Sequence, residues 1–223
     1  REPVADVAKV ISRIADIVVV RTFGQDTIEE YGDASSIPVI NALTSVEHPC
    51  QALADAQTII EQHGSVSDIK VAFIGDGNNV ATSLGYAVAG LGGHLSVASP
   101  SGYELSGEAL QRANIYGSAA GGRVTQMTRP QDAVADADIV YTDVWTSMGQ
   151  ERETAKRLAA FGGYQVNTAL LDQAGTNVKF MHDLPAHPGE EIADGLLDDP
   201  RSIVFDQAEN RLWAQAALME KLF

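Results

Sequence analysis

Short unbroken apolar runs, each closed by polar residues and followed by a helical stretch, limit most strongly what this chain can fold into. Ile17-Val18-Val19-Val20, Val71-Ala72-Phe73-Ile74 and Ile139-Val140-Tyr141 show no alternation, the pattern of strands buried on both faces. Between such runs, Val4, Val7, Ile11 and Ile14 recur at helical spacing and predict a first helix with one apolar stripe. Pro49 suits the first turn of a helix expected to run to His63, and Gly64 follows where a helix favours a left-handed stop. Strand and helix alternate to the end. The expected class is therefore α/β, with a doubly wound, mainly parallel sheet covered by helices on both faces.

The composition shift at Gly64-Ser65-Val66-Ser67-Asp68 marks an expected boundary. Residues 65–206 then form a doubly wound domain, with strands expected at Lys70 to Ile74, His94 to Ala98, Arg123 to Met127, Ile139 to Thr142, Val178 to His182 and Ile203 to Phe205. Residues 1–64 supply only about two strands and two helices, too little for an independent core. The last stretch, 207–223, reads as a helix with Leu212, Ala216, Met219 and Leu222 on one stripe. That stripe is expected to give the first part some of its missing cover.

Thirty acidic against fifteen basic residues leave a formal charge of −15 over 223 residues. A field of that sign repels phosphate backbones and anionic lipid, which argues against nucleic acid and membrane partners. No apolar run reaches the ~18 residues that a spanning helix needs. The single cysteine, Cys50, forms no internal disulfide and reads as a small buried apolar residue, consistent with a reducing cytoplasm. The chain opens on Arg1-Glu2-Pro3 without a methionine, the mark expected of a fragment.

In open parallel sheets ligands collect at the carboxyl ends of strands, and five such places here are polar. They hold Arg21-Thr22-Phe23-Gly24, Asn41-Ala42-Leu43-Thr44 leading into His48-Pro49-Cys50-Gln51, Gly75-Asp76-Gly77-Asn78-Asn79, Asp143-Val144-Trp145-Thr146-Ser147-Met148-Gly149, and His182-Asp183-Leu184-Pro185. Gly75-Asp76-Gly77-Asn78-Asn79-Val80 fails as a dinucleotide fingerprint, because Val80 stands where the third glycine belongs. There is no Gly-Lys pair for a Walker loop and no Gly-x-Ser-x-Gly elbow. His48 at a helix N-terminus suits an anion site, and a plain cap or packing histidine fits the spacing equally well. Gln51 lies one turn further on the same side. Arg21 after an apolar strand is costly unless an anion meets it, whereas Arg211 fits either a ligand or an ion pair with Glu209. Asp143 suits an ammonium group, and capping by Asp143 or Ser147 explains part of the pattern. His182 and His187 match no standard metal spacing, and His63 and His94 read as surface residues.

Taken together, and in this order along essentially the whole chain, these strings resemble the ornithine carbamoyltransferases. His48-Pro49-Cys50-Gln51 is similar to the family's carbamoyl-phosphate motif, the Asp143 to Gly149 string to its ornithine loop, and Glu209-Asn210-Arg211 to its terminal-helix motif. The resemblance implies that Arg21, His48, Gln51 and Arg211 bind carbamoyl phosphate. It implies that Asn79, Asp143, Ser147 and Met148 hold the amino-acid end of L-ornithine, with Asp183 and Leu184 beside the reacting amine. The catalytic set is then Asp183, Arg211 and His48. It further implies a carbamoyl-phosphate domain, an ornithine domain and a homotrimer, working in arginine synthesis without metal or cofactor. Two departures stand out: no Ser-x-Arg-Thr-Arg phosphate loop occurs in these residues, and the family's His-Cys-Leu-Pro reads His182-Asp183-Leu184-Pro185.

The implied reaction is attack of an amine on the carbonyl carbon of carbamoyl phosphate. An alkylamine titrates near ~10.4, so it must shed a proton first. A carboxylate at Asp183 either holds the amine charged and slows attack, or takes its proton as a general base. The second is the preferred expectation. The alternatives are a carbamoyltransferase for another amine such as putrescine or a modified ornithine, and a non-catalytic binding protein.

Overall fold

The computed structural model describes residues 2–147 and 149–223. In chain order its elements are α1 (Val4–Ile11), β1 (Val18–Arg21), α2 (Gln25–Ala34), β2 (Val39–Leu43), α3 (Pro49–His63), β3 (Lys70–Ile74), α4 (Asn79–Gly90), β4 (His94–Ala98), α5 (Gly107–Gly117), β5 (Arg123–Met127), α6 (Pro130–Val134), β6 (Ile139–Thr142), α7 (Thr154–Ala160), α8 (Thr168–Leu171), β7 (Lys179–His182) and α9 (Val204–Leu222). Pro49 occupies the first turn of α3, and Gly64 ends it in the left-handed region at φ 81°, as the proline and glycine signals predict.

Five strands form one parallel sheet in the order β5-β4-β3-β6-β7. The unbroken apolar runs are explained by cover on both sides. Val71 and Phe73 of β3 join one core with Leu84, Leu95 and Tyr141, while Ala72 and Ile74 join a second with Val140, Phe161 and Phe180. The chain lays down β3, β4 and β5 in one direction and then returns to place β6 on the other side of β3. The strand order therefore reverses between β3 and β6, and ligands bind at such a crevice in open α/β sheets. Gly75 to Asn79 and Asp143 to Ser147 leave the sheet at this point.

In the first part β1 and β2 make a two-stranded parallel sheet of their own. Two features there differ from expectation. β1 is not buried on both faces, since Val19 is 55% exposed. α1 stops at Ile11, which leaves Ile14 outside the helix and exposed. Too few elements surround β1 to cover both of its sides. At the other end, Ile203 to Phe205 is not a strand. Ser202 makes an isolated parallel bridge to Phe180 of β7, and α9 begins directly afterwards at Val204. An apolar triplet fits either state, and here the helical spacing of Val204, Gln207 and Asn210, all buried, prevails.

α9 packs along α3, but not through its apolar stripe. Leu212, Met219 and Leu222 are exposed, while the face turned to α3 carries Gln207, Asn210 and Arg211.

Gly77, on the turn after β3, sits so close to the strand of chain after β4 that an added Cβ would lie 2.2 Å from the Leu105 nitrogen and 2.4 Å from the Glu104 carbonyl carbon. Backbone atoms cannot swing away as a flexible side chain can, so the turn itself must shift. Gly77→Ala is expected to cost about 1–3 kcal/mol of stability, read as a lowered denaturation midpoint with an unchanged denaturant slope. An unaltered midpoint would show that this turn is free to relax.

Candidate active site

α3 presents His48, Gln51, Asp55 and Thr58 at helical spacing, and all four are buried. α9 answers with Gln207, Asn210 and Arg211. Gln51 Nε2 and Gln207 Nε2 both donate to Asp55 Oδ1, at 2.9 and 2.7 Å, and the Tyr141 hydroxyl donates to Asp55 Oδ2 at 3.2 Å. Asn210 Nδ2 donates to Thr58 Oγ1 and Glu61 Oε2, and Gln57 Nε2 donates to Asn210 Oδ1. Arg211 Nη1 donates to Gln51 Oε1 at 2.5 Å. The two helices are thus joined by a hydrogen-bonded polar seam. Burial pushes the Asp55 carboxyl up to about 6, against the lowering effect of its three donors and of Arg211.

At one end of this seam His48 precedes α3 without making a side-chain cap. Its backbone N–H donates to Ser83 Oγ at 2.8 Å, and its ring Nδ1 is buried with no partner. Burial first, then the positive charges of Arg211 and Arg21, press the imidazole down to about 4, so it is neutral at physiological pH. Arg211 Nε is likewise buried without a partner, and Arg211 makes no ion pair with Glu209, which accepts instead from Trp213 Nε1. Arg21 is exposed at the end of β1. Buried polar atoms are rarely left unpaired. Two such atoms beside two guanidinium groups make a place suited to an oxygen-rich anion.

At the other end the crevice holds carboxyl groups. Asp143 Oδ2 accepts from Asn78 Nδ2 at 2.7 Å and its Oδ1 from the Val144 N–H at 2.6 Å; neither Asp143 nor Ser147 caps a helix. Asp183 is almost fully buried and its Oδ1 has no hydrogen-bond partner. Burial, then Asp143 and Asp55, push its carboxyl well above the usual range. Beside it His182 Nδ1 accepts from the Leu184 N–H at 2.9 Å, which leaves the Nε2 proton for Glu191 Oε1 at 3.2 Å. Leu184 itself lies at φ 58°, a conformation costly for a branched side chain and found where surrounding structure imposes it. These contacts hold the Asp183 turn rigidly toward Asp143.

The remaining candidates are placed as follows. Asn79 Nδ2 donates to the Thr44 carbonyl at 2.7 Å and so ties α4 to the loop before α3. Ser147 is half-buried, with its N–H on Gln150 Oε1. Met148 lies outside the described residues. Cys50 is buried, as expected, whereas His63 and His94 are half-buried, each with one unpartnered ring nitrogen. His187, Glu190 and Glu191 bring potential ligand atoms within 4.8 Å of one another, but Glu191 is already engaged by His182. A cavity of about 460 Å³ adjoins Asn78, walled by Ser45, Tyr103, Glu153 and the Arg157–Asp76 ion pair of 2.6 Å. Among the described residues, none of the expected site residues lines it. The convergence of unpaired polar atoms, not this larger opening, marks the site.

Reading the sequence by strand tips takes in Asn78 only as part of its turn and misses Asp55, Tyr141, Gln207 and Glu191. A signal for two of them existed: Asp55 follows His48 and Gln51 at helical spacing, and Gln207 precedes Arg211 by four residues. Polar stripes carry the same period as apolar ones.

Comparison with known proteins identifies the family. The family model described as aspartate/ornithine carbamoyltransferase, Asp/Orn binding domain, matches residues 67–222, and that of the carbamoyl-P binding domain matches residues 1–61. The chain is 53% identical over 221 residues to the ornithine carbamoyltransferase of Pseudomonas syringae pv. tomato, covering 99% of this chain and 70% of that one. It is 50% identical over 221 residues to the ornithine carbamoyltransferase of Bacillus subtilis, covering 99% and 69%. The solved ornithine carbamoyltransferase from Pyrococcus furiosus superposes with a TM-score of 0.94 at 45% identity, over 98% of this chain and 70% of that one. With both of its sheets and nearly all of its length so matched, the chain belongs to the aspartate/ornithine carbamoyltransferase family and is, like its relatives, a transferase.

Proposed function

We propose that this protein transfers the carbamoyl group of carbamoyl phosphate to the side-chain amine of L-ornithine, giving L-citrulline and phosphate in arginine synthesis. The observation that carries this reading is the division of charge across the cleft. Arg21 and Arg211 flank His48 at one end, and the Asp143 and Asp183 carboxyls face each other at the opposite end. Relatives bearing the name ornithine carbamoyltransferase, one of them described as anabolic, support the acceptor and the direction.

In this mechanism Arg21 meets the phosphate, while Arg211, held by Gln51, and the unpaired face of His48 stabilise the carbonyl oxygen as charge develops there. Asp143, with Asn79, Ser147 and Met148, holds the amino-acid head, and Leu184 packs beside the amine. The empty crevice favours a neutral Asp183. An ammonium arriving beside the pair favours the charged form, expels that proton and leaves a carboxylate. Asp183 then takes one proton from the amine. The nitrogen attacks the carbonyl carbon, the new C–N bond forms, and the C–O bond to phosphorus breaks. The second amine proton leaves with the phosphate, so the overall reaction releases one proton.

The same reading divides the chain into a carbamoyl-phosphate part at 1–64, an ornithine part at 65–206 and a returning helix at 207–223. It places the protein in the cytoplasm as a homotrimer, without metal or cofactor. The seam between α3 and α9 supports the returning helix, and the buried thiol of Cys50 suits a reducing compartment. No helix among the described residues is long and apolar enough to cross a membrane.

Steady-state kinetics on the complete gene product test the reaction. Ornithine is expected to be carbamoylated far faster than putrescine; an equal rate with the diamine would remove the amino-acid head from the proposal. Asp183→Asn is expected to lose roughly 10²-fold in kcat, and Asp183→Cys to recover activity with its acidic limb moved up toward the thiol range near ~8.5. Full activity of Asp183→Asn at every pH would exclude Asp183 as the base.

His48 supplies an independent check on the phosphate end. Burial and, after it, two guanidinium groups hold its imidazole down to about 4, and a bound dianion would offset the guanidinium part. Binding of carbamoyl phosphate near pH 5.5 is therefore expected to take up protons, seen as a binding enthalpy that depends on the ionisation heat of the buffer. His48→Gln should abolish that dependence. A wild-type enthalpy indifferent to buffer would place the anion away from His48.

A further inference from the structure

Asp55 has no part in the chemistry proposed above, yet it contacts the side chains that hold both of its halves. We propose that Asp55 is a positioning residue that couples the carbamoyl-phosphate end of the cleft to the acceptor end, so that filling one end prepares the other. The inference rests on the assignment of the two ends given under Proposed function.

The argument begins with the chemistry of an amide. Gln51 can present either its oxygen or its NH2 toward Arg211, and only the oxygen can accept from a guanidinium. A carboxylate accepts and does not donate, so Asp55 draws the Gln51 Nε2 to itself and turns the oxygen to Arg211 Nη1. The same Oδ1 settles Gln207. Its Nε2 goes to Asp55 at 2.7 Å, which leaves its oxygen for the backbone N–H of His182 at 2.9 Å, immediately before Asp183. The other oxygen of Asp55 accepts from Tyr141, two residues before Asp143 on β6. One fully buried carboxyl therefore fixes the orientation of two amides. One amide sets an arginine of the anion end, and the other sets the turn that carries Asp183. The groups around Asp55 are Gln51, Gln207 and Tyr141 in contact, with the charges of Arg211 and Asp183 within electrostatic reach.

A merely adhesive role would make Asp55 one bond among many in the seam between α3 and α9. Coupling makes a different demand, since ligand at one end must change affinity at the other. Calorimetry reads this directly on the complete gene product, as the affinity for norvaline with and without saturating carbamoyl phosphate. In the wild type carbamoyl phosphate is expected to tighten norvaline about tenfold or more, within the usual range of coupling. Asp55→Leu and Gln207→Met are expected to reduce the effect to about twofold, each still binding both ligands. Asn210→Leu removes a different part of the same seam, away from the two amides, and is expected to leave the coupling intact while lowering stability.

Preserved coupling in Gln207→Met would overturn the proposal, as would equal loss in Asn210→Leu, which would reveal simple adhesion. Should Asp55→Leu fail to fold, Gln207→Met decides, because it leaves Asp55 and Gln51 in place. A wild-type protein that binds both ligands without mutual effect refutes the coupling alone. One that binds neither refutes the assignment of the cleft and the coupling with it.

Discussion

The polar seam between α3 and α9 is the contact on which the rest of this structure depends. It joins the first part of the chain to its last helix, and it does so with amides and a carboxylate instead of leucines. Burying Asp55 completely is costly even with three donors, and its carboxyl rises to about 6 in consequence. An acid whose folded value exceeds its ordinary 3.8 favours the fold when protonated, so that stabilisation is lost as pH climbs from about 4 to 6. His48 works in the opposite direction. An imidazole held at about 4 instead of 6.5 favours the fold when neutral, so stabilisation is gained over nearly the same interval. The two slopes offset each other. One residue at the centre of the seam and one at its end therefore tilt stability in opposite directions between about pH 4 and 6.

The sheet supplies what the seam cannot. Its order reverses between β3 and β6, which separates the Gly75 to Asn79 turn from the Asp143 to Ser147 loop by the width of one strand pair and leaves a crevice above them. Asn78 closes the lower edge of that crevice by capping α4 with its oxygen while its Nδ2 holds Asp143. On the far side His182 and Glu191 pin the Asp183 turn, and Leu184 accepts an unfavourable backbone conformation there. Strain of this kind is retained where the surroundings specify a geometry that the local sequence would not choose. The result is a pocket built from elements far apart in sequence.

How far this was legible depended on whether a residue's signal was local. The runs at β3 and β6 announce themselves because a strand covered on both faces has no polar positions, and Pro49 with Gly64 bounds α3 because those residues permit little else. β1 carries a run of the same kind but is half exposed, since a run of valines reveals affinity for a core and not whether a core is present. The stripe of Leu212, Ala216, Met219 and Leu222 misled for a related reason. Apolar periodicity normally marks the packed face, yet α9 turns Gln207, Asn210 and Arg211 inward, because α3 offers polar partners at matching spacing. His48, Gln51, Asp143 and Arg211 stood out from their motifs. Asp55 did not, because its importance lies in what it touches across the seam.

Asp183 shows why such a site tolerates an ionisable group where a weaker acid would be easier to bury. Its neighbours are Asp143 and Asp55, two carboxyls that disfavour a third charge. In the absence of ligand the cheapest arrangement keeps a proton on Asp183, and the crevice then resembles one lined by a neutral donor. A cationic amine reverses that preference, because its charge takes the place of the proton. In the proposed reaction the pocket would therefore present a carboxylate chiefly when the amine that requires it has arrived. The overall charge of −15 does not oppose an anion at the other end, since screening limits distant acids to about 8 Å at physiological salt, and Arg21 and Arg211 act from within that radius. Opposite charges at two ends of one network, each conditional on its ligand, need a rigid link between them, and the buried carboxyl of Asp55 occupies that position.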